Sequence, residues 1–231
     1  MPPGTIDTWV MSVGTNGLAL DIDGNVLAAA HDVQWISKFN VETKARTNLP
    51  APFTFMNAPF NSVNDLTVRS DGNIYFSDPT WQQGNRPGQS GTFFYRRAPN
   101  GTITRLFSGS QPNGLALSPD QNTLYVGDMS GQIRKVGLMA DGSLDGAPMN
   151  FGSNVGSFTD GLAVDCAGNI YVTSGTGVHV LGSNGSSRGT ITVEGNSTSN
   201  AAFGGAERKT LYITGSGRLH EITLNVPGFP Y

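Results

Sequence analysis

Five polar signals, each opening a short hydrophobic strand, recur along this 231-residue chain: Asn16-Gly17-Leu18-Ala19-Leu20, Asn64-Asp65-Leu66-Thr67-Val68, Asn113-Gly114-Leu115-Ala116-Leu117, Asp160-Gly161-Leu162-Ala163-Val164 and the weaker Asn200-Ala201-Ala202-Phe203. They are spaced by 48, 49, 47 and 40 residues. A strand-built repeat of roughly 40–50 residues predicts a β-propeller, because one four-stranded unit cannot bury its own face and must stack in a ring. Equivalent positions of successive blades converge on the ring axis. Asn16, Asn64, Asn113, Asp160 and Asn200 are therefore expected at one mouth of a central channel, and that mouth is the candidate site.

The predicted fold is all-β: a single β-propeller domain over residues 1–231 made of four-stranded antiparallel blades, five of them complete, with repeats starting near residues 16, 64, 113, 160 and 200. Residues 1–15 read as the remnant of an earlier blade, with Thr5 to Val13 as its closing strand. In the third repeat the strands are expected at Gly114 to Ser118, Thr123 to Asp128, Gln132 to Val136 and an outer edge around Pro148 to Phe151. Asp23-Gly24-Asn25, Asp71-Gly72-Asn73 and Ala167-Gly168-Asn169 each join first to second strand, as hairpins with a positive-φ residue require. Aromatic and β-branched residues follow, as in Ile74-Tyr75-Phe76 and Ile170-Tyr171-Val172.

Composition narrows the functional classes. The formal net charge is -3 with only 13% charged residues, so no basic patch points to nucleic acid or an acidic membrane surface. No apolar run approaches the ~18 residues of a membrane span, and Met1-Pro2-Pro3-Gly4 has neither the basic start nor the apolar stretch of a signal peptide. The chain reads as soluble, with its compartment open. Three Asn-x-Ser/Thr triplets, at Asn100, Asn184 and Asn196, are no more than chance supplies in a chain so rich in Ser, Thr and Asn. Cys166, the one cysteine, excludes an internal disulfide and a cysteine zinc cluster, and reads as a small buried hydrophobe in a strand.

If each inner strand leaves the polar mouth, its hairpin partner returns there. Asp78 and Asp128 then land beside Asn64 and Asn113, unless they serve as acceptors in strand-end turns, and His31 falls close by in the first repeat. The long irregular segment from Pro79 to Gly91 starts from the same edge and carries Trp81, either a wall for substrate or an anchor of the loop. His179 and His220 fall in outer-strand patterns. Asp21-Ile22-Asp23-Gly24-Asn25 lacks the distal glutamate of a calcium loop and is a hairpin turn.

Amide carbonyls and a carboxylate aimed at one point suit a hard divalent cation, calcium before zinc, since no His or Cys cluster accompanies them. Such a site polarises a carbonyl and lowers the pKa of water, while Asp160 handles the proton. The same residues also satisfy turns and strand starts in propellers without chemistry.

The strings quoted above, together with Phe60-Asn61-Ser62-Val63-Asn64-Asp65, Ser70-Asp71-Gly72-Asn73-Ile74-Tyr75-Phe76-Ser77-Asp78-Pro79, Pro112-Asn113-Gly114 and Phe203-Gly204-Gly205, resemble the senescence marker protein / gluconolactonase / luciferin-regenerating enzyme-like group of six-bladed propellers. The resemblance implies a divalent ion, usually calcium, bound by residues corresponding to Asn113 and Asp160, with Asn64 contacting metal or substrate and Asp160 as general base. It also implies an axial glutamate in a Glu-Gly-Pro strand, which this sequence does not contain; Glu42, Glu194, Glu207 and Glu221 all fall outside the inner-strand starts. Ser62 stands where one branch has a sugar-contacting arginine.

Two functional readings follow. One is a metal-dependent hydrolase of lactones or related esters, with Asn64, Asn113 and Asp160 on the ion and Asn16, His31, Asp78, Trp81 and Asn200 shaping the substrate pocket; a phosphotriesterase-like variant shares the metal. The other is a non-catalytic propeller that binds a small ligand or protein partner at the same mouth. An incomplete ring would expose sheet edges and invite self-association.

Overall fold

The computed structural model of the chain describes residues 7–11, 13–156, 158–175, 177–195 and 197–229. Strands in chain order form five antiparallel blades around a central channel. Blade I holds β1 (Thr15–Leu20), β2 (Val26–Ala30), β3 (Trp35–Phe39) and β4 (Arg46–Asn48), and is followed by a small hairpin of β5 (Thr54–Phe55) and β6 (Ala58–Pro59). Blade II holds β7 (Leu66–Val68), β8 (Ile74–Asp78), β9 (Phe93–Arg97) and β10 (Ile103–Ser108), and blade III β11 (Leu115–Leu117), β12 (Thr123–Val126), β13 (Arg134–Leu138) and β14 (Leu144–Asn150). Blade IV holds β15 (Leu162–Val164), β16 (Ile170–Ser174), β17 (Gly177–Leu181) and β18 (Ser187–Thr192). Blade V has three strands among the described residues: β19 (Asn200–Gly204), β20 (Thr210–Gly215) and β21 (Arg218–Thr223).

The propeller expected from the repeats is present, with four local differences, the first being that blade V, expected complete with four strands, has three among the described residues. The two outer strands of blade III begin at Arg134 and Leu144, displaced from the expected Gln132 and Pro148. The anticipated closing strand lies partly outside the described residues, and residues 7–11 and 13 carry no strand. Trp9 packs edge-on against Phe39 of blade I, with ring centroids 6.1 Å apart. Cys166 is exposed in the turn after β15, where its N–H donates to Pro227 O at 2.8 Å. Its neighbour Asp165 takes the buried position, accepting from Ala167 N, Asn169 N and Asn169 Nδ2 and so closing the turn.

Strand periodicity builds the core. Successive side chains of a strand point to opposite faces, so the middle strand of each blade feeds two interfaces at once. Ile74 and Phe76 join Leu27, Trp35, Ile36 and Phe60 between blades I and II, whereas Tyr75 packs with Leu115, Leu124 and Val136 between blades II and III. The same split sends Ile170 and Val172 towards Tyr125 and Phe151 of blade III, and Tyr171 towards Leu211 and Ile213 of blade V. Trp35, Phe60 and Tyr95 form the densest aromatic contact, with Phe60 5.2 Å from Trp35 and 5.0 Å from Tyr95 between ring centroids.

Gly24, Gly72 and Gly168 take φ of 80°, 85° and 78° in the inner hairpins, as anticipated, and in blade III Gln121 adopts 57° in their place. The glycines of the repeat signal itself have another cause. A Cβ on Gly114 would stand 2.2 Å from Asp160 O, and one on Gly161 would stand 2.0 Å from Asn200 Oδ1. At these two positions the next inner strand lies too close for a side chain in between.

Candidate functional site

The inner strands of blades II, III and IV start at one end of the channel because the same hydrogen bond sets each start. Asn64 N donates to Ser77 O at 3.0 Å, Asn113 N to Gly127 O at 2.9 Å and Asp160 N to Thr173 O at 2.9 Å. Identical backbone registration places the three side chains at equivalent positions, and all three line one cavity of about 1060 Å³ together with Asn16 and Asn200. In blade V the register-equivalent residue is Ser199, whose N–H donates to Thr214 O at 2.8 Å. Asn200 therefore sits one step along, level with Gly17, Asp65, Gly114 and Gly161. The sequence pattern aligned it with the wrong neighbour because the fifth signal lacks a glycine to mark the step.

Asp65 occupies that glycine level in blade II and was not singled out from the sequence. Its carboxylate accepts from Leu66 N at 2.9 Å and from the N–H of Leu115 on the next blade, so it clamps two inner strands together. Burial, and secondarily the charge of Asp160, push its pKa up to about 7. The signal that would have revealed it is a carboxylate standing where three of the other four repeats carry glycine.

Asp160 is the second desolvated acid. Burial raises its pKa to about 6, against a hydrogen bond from Asn113 that favours the ionised form. Asn113 also donates from Nδ2 to Thr159 O at 3.1 Å, which leaves its Oδ1 free of that bond. Neither Asp65 nor Asp160 forms an ion pair among the described residues. The buried Asp65 carboxylate and the partly buried Asp160 carboxylate, within reach of each other's charge and beside the amides of Asn64 and Asn113, are a donor set suited to a hard cation, which would hold both acids ionised. No cluster of three His, Cys, Asp or Glu occurs among the described residues; the oxygens here are half amide.

Asp78 and His31 are not among the residues lining the cavity. Asp78 does return to the mouth end, as the hairpin direction requires, but its fully buried carboxylate accepts from Asn61 N at 3.0 Å and Ser62 N at 2.9 Å. Two backbone donors of the segment entering β7 outcompete the channel for it, and burial pushes its pKa up to about 7. Asp128 likewise serves the backbone one blade on, accepting from Ser110 N and Ser130 N and pairing with Arg134 at 3.0 Å. His31 lies beside Gly14 and Asp32, half-buried, and its pKa is lowered first by burial.

Trp81 does line the cavity. The loop that carries it is anchored by other residues: Arg86 donates to Gln83 O, Gln82 O and Asp32 O, while Ser62 Oγ donates to Pro79 O at 2.7 Å and accepts from Gln82 N. Trp81 is thereby free to face the channel. Blades I and V also border the cavity through exposed leucines, Leu18 at 60% and Leu219 at 47% accessibility.

The gluconolactonase of Zymomonas mobilis is 28% identical over 223 residues, covering 88% of this chain and 61% of that protein, so the chain spans about three fifths of that relative's length. The solved gluconolactonase of Xanthomonas campestris superposes with a TM-score of 0.80 at 32% identity, over 93% of this chain and 72% of that one. A calcium-binding regucalcin of Agrobacterium tumefaciens, at 21% identity, shares the fold with a TM-score of 0.78 over 96% of this chain and 79% of its own. With the SMP-30/gluconolactonase/LRE-like region matched across residues 4–217, this chain belongs to that family.

Proposed function

We propose that this propeller hydrolyses lactones at its polar mouth, with Asp160 as the general base. The observation that carries the reading is the contact between Asp160 and Asn113 in a cavity also lined by Asn64, with a second desolvated carboxylate, Asp65, in electrostatic reach. Kinship with gluconolactonases supports a cyclic ester as the substrate class, and Ser62, standing where one branch has a sugar-contacting arginine, leaves the ring's substituents open.

A divalent cation, calcium by its preference for oxygen, would be held by Asn64, Asn113 and Asp160 and would supply Lewis-acid polarisation of the lactone carbonyl. The chain's own residues do the rest. Ionised Asp160 takes a proton from the attacking water as its oxygen bonds to the carbonyl carbon. The ring C–O bond then breaks, and the proton passes from Asp160 to the departing alkoxide oxygen, giving the open hydroxy acid. Asn16, Asn200 and Trp81 border the space where the ring must sit, while Asp78 keeps the backbone before Asn64 in place.

Turnover of a panel of aldonolactones and aryl esters, with calcium and then with chelator, tests the reading. Chelator-sensitive hydrolysis is expected, and Asp160→Asn should lower kcat by about 10²–10⁴-fold while still unfolding cooperatively in chelator. Because the base must be ionised, and a bound cation lowers the value of about 6 that burial gives Asp160, the calcium-dependent rate should rise with pH and level off below about 6. Absence of chelator-sensitive turnover on every substrate would overturn the proposal.

A further inference from the structure

Around the polar set the cavity wall changes character. Trp81, in the loop after β8, Met129, in the turn after β12, and Phe158, just before β15, all border the cavity at the mouth end. Met129 and Phe158 are brought together by the backbone. Thr159 donates from both N and Oγ1 to Asp128 O, at 3.0 and 3.1 Å, so the residues flanking this junction stand side by side. Thr159 O in turn receives the Asn113 amide, so the apolar pair adjoins the proposed ion site directly.

Trp81 and Met129 are each 41% accessible. Large apolar side chains held partly in water beside a binding site gain free energy when an apolar group covers them. They are also pre-organised: Arg86 and Ser62 pin the Trp81 loop, Thr80 N and Oγ1 bond to the Gln111 side chain, and Met129 N donates to Ser110 O at 2.8 Å. Of the described residues lining the cavity, the one cation is Arg208, in the turn between β19 and β20 at the end of the channel away from Asn200. No cationic side chain stands beside Trp81, Met129 and Phe158 to receive an anionic substituent, and sugar hydroxyls laid on these three side chains would forfeit hydrogen bonds to water.

Building on the lactonase reading, we infer that the mouth selects lactones bearing an alkyl or aryl substituent over polyhydroxylated ones, and that Trp81 and Met129 are the residues that set this preference.

The test separates binding from chemistry. Titration calorimetry with a non-hydrolysable pair, 6-pentylpiperidin-2-one and D-glucono-δ-lactam, should give an alkyl lactam that binds tighter by about tenfold or more. Equal affinity, or preference for the hydroxylated lactam, overturns the inference. The Trp81→Ser and Met129→Ser variants, singly and together, should keep the wild-type melting temperature and reduce that ratio to about threefold or less. A ratio unchanged in any folded variant removes that residue from the assignment, and unchanged in all of them it overturns the inference. Turnover of δ-decalactone against glucono-δ-lactone is read separately. No hydrolysis of either, with lactam selectivity intact, would refute the lactonase reading and leave the apolar rim standing.

Discussion

Three aspartates near the mouth have raised pKa values, and burial dominates each. Their partners separate their roles. Asp78 serves two backbone donors, so Asp78→Ala should leave Asn61 N and Ser62 N buried and unpaired and cost about 2–4 kcal/mol in urea unfolding. Loss of much less than this would show that water replaces the carboxylate. Asp65 is held near 7 in the fold against 3.8 in the unfolded chain, so the folded state binds the extra proton between these values. Its contribution to stability is complete below about pH 4 and is lost as pH rises through 7. In chelator, Asp65→Asn should therefore match wild type near pH 4 and exceed it near pH 8 by on the order of a few kcal/mol. A stability difference that stays constant across that window would contradict the assignment. Asp160 was legible from the sequence because the repeat marked its position. Asp65 was not, because it fills a level that glycine otherwise marks, and only the neighbouring strand shows why.

At the scale of elements, the repeat signal is a polar residue facing the channel followed by a residue facing the next blade. The second has no room at Gly114 and Gly161. Gly161→Ala would drive a methyl group to 2.0 Å from Asn200 Oδ1 and should cost about 1–3 kcal/mol, read as a lowered urea midpoint, with the fold kept. A neutral effect would mean that blade V moves freely against blade IV. The hairpins were readable because Asp-Gly-Asn and its relatives carry their own turn chemistry. The start of blade V was displaced by one residue because Asn200 has no such marker, and Cys166 came out exposed because the turn around it is closed by Asp165 instead. Loop 79–91 owes its shape to long-range partners, Asp32 and Ser62 among them, which no local pattern announces.

For the whole molecule, the question is what gathers the mouth. Each interface between blades is a buried apolar cluster fed by alternate residues of both sheets, and these clusters set the angle at which inner strands converge. A cation bound at the convergence should stabilise the folded propeller by linkage, by about 2.7 kcal/mol at a hundredfold excess over Kd. Calcium should accordingly raise the melting temperature of wild type and leave Asp160→Asn unmoved; an equal response of both proteins would place the ion elsewhere. Periodicity, turn residues and the spacing of Asn64, Asn113 and Asp160 were enough to determine, from the sequence by itself, that the chain forms blades and that these side chains meet at one end, because both properties repeat locally. The tertiary structure alone decided that Asp78 serves the backbone, that Asp65 bridges two blades and that Trp81 and Met129 border the opening. Each of those outcomes depends on which group wins a hydrogen bond or a share of buried space from residues distant in the chain, and that competition exists only once the blades have packed.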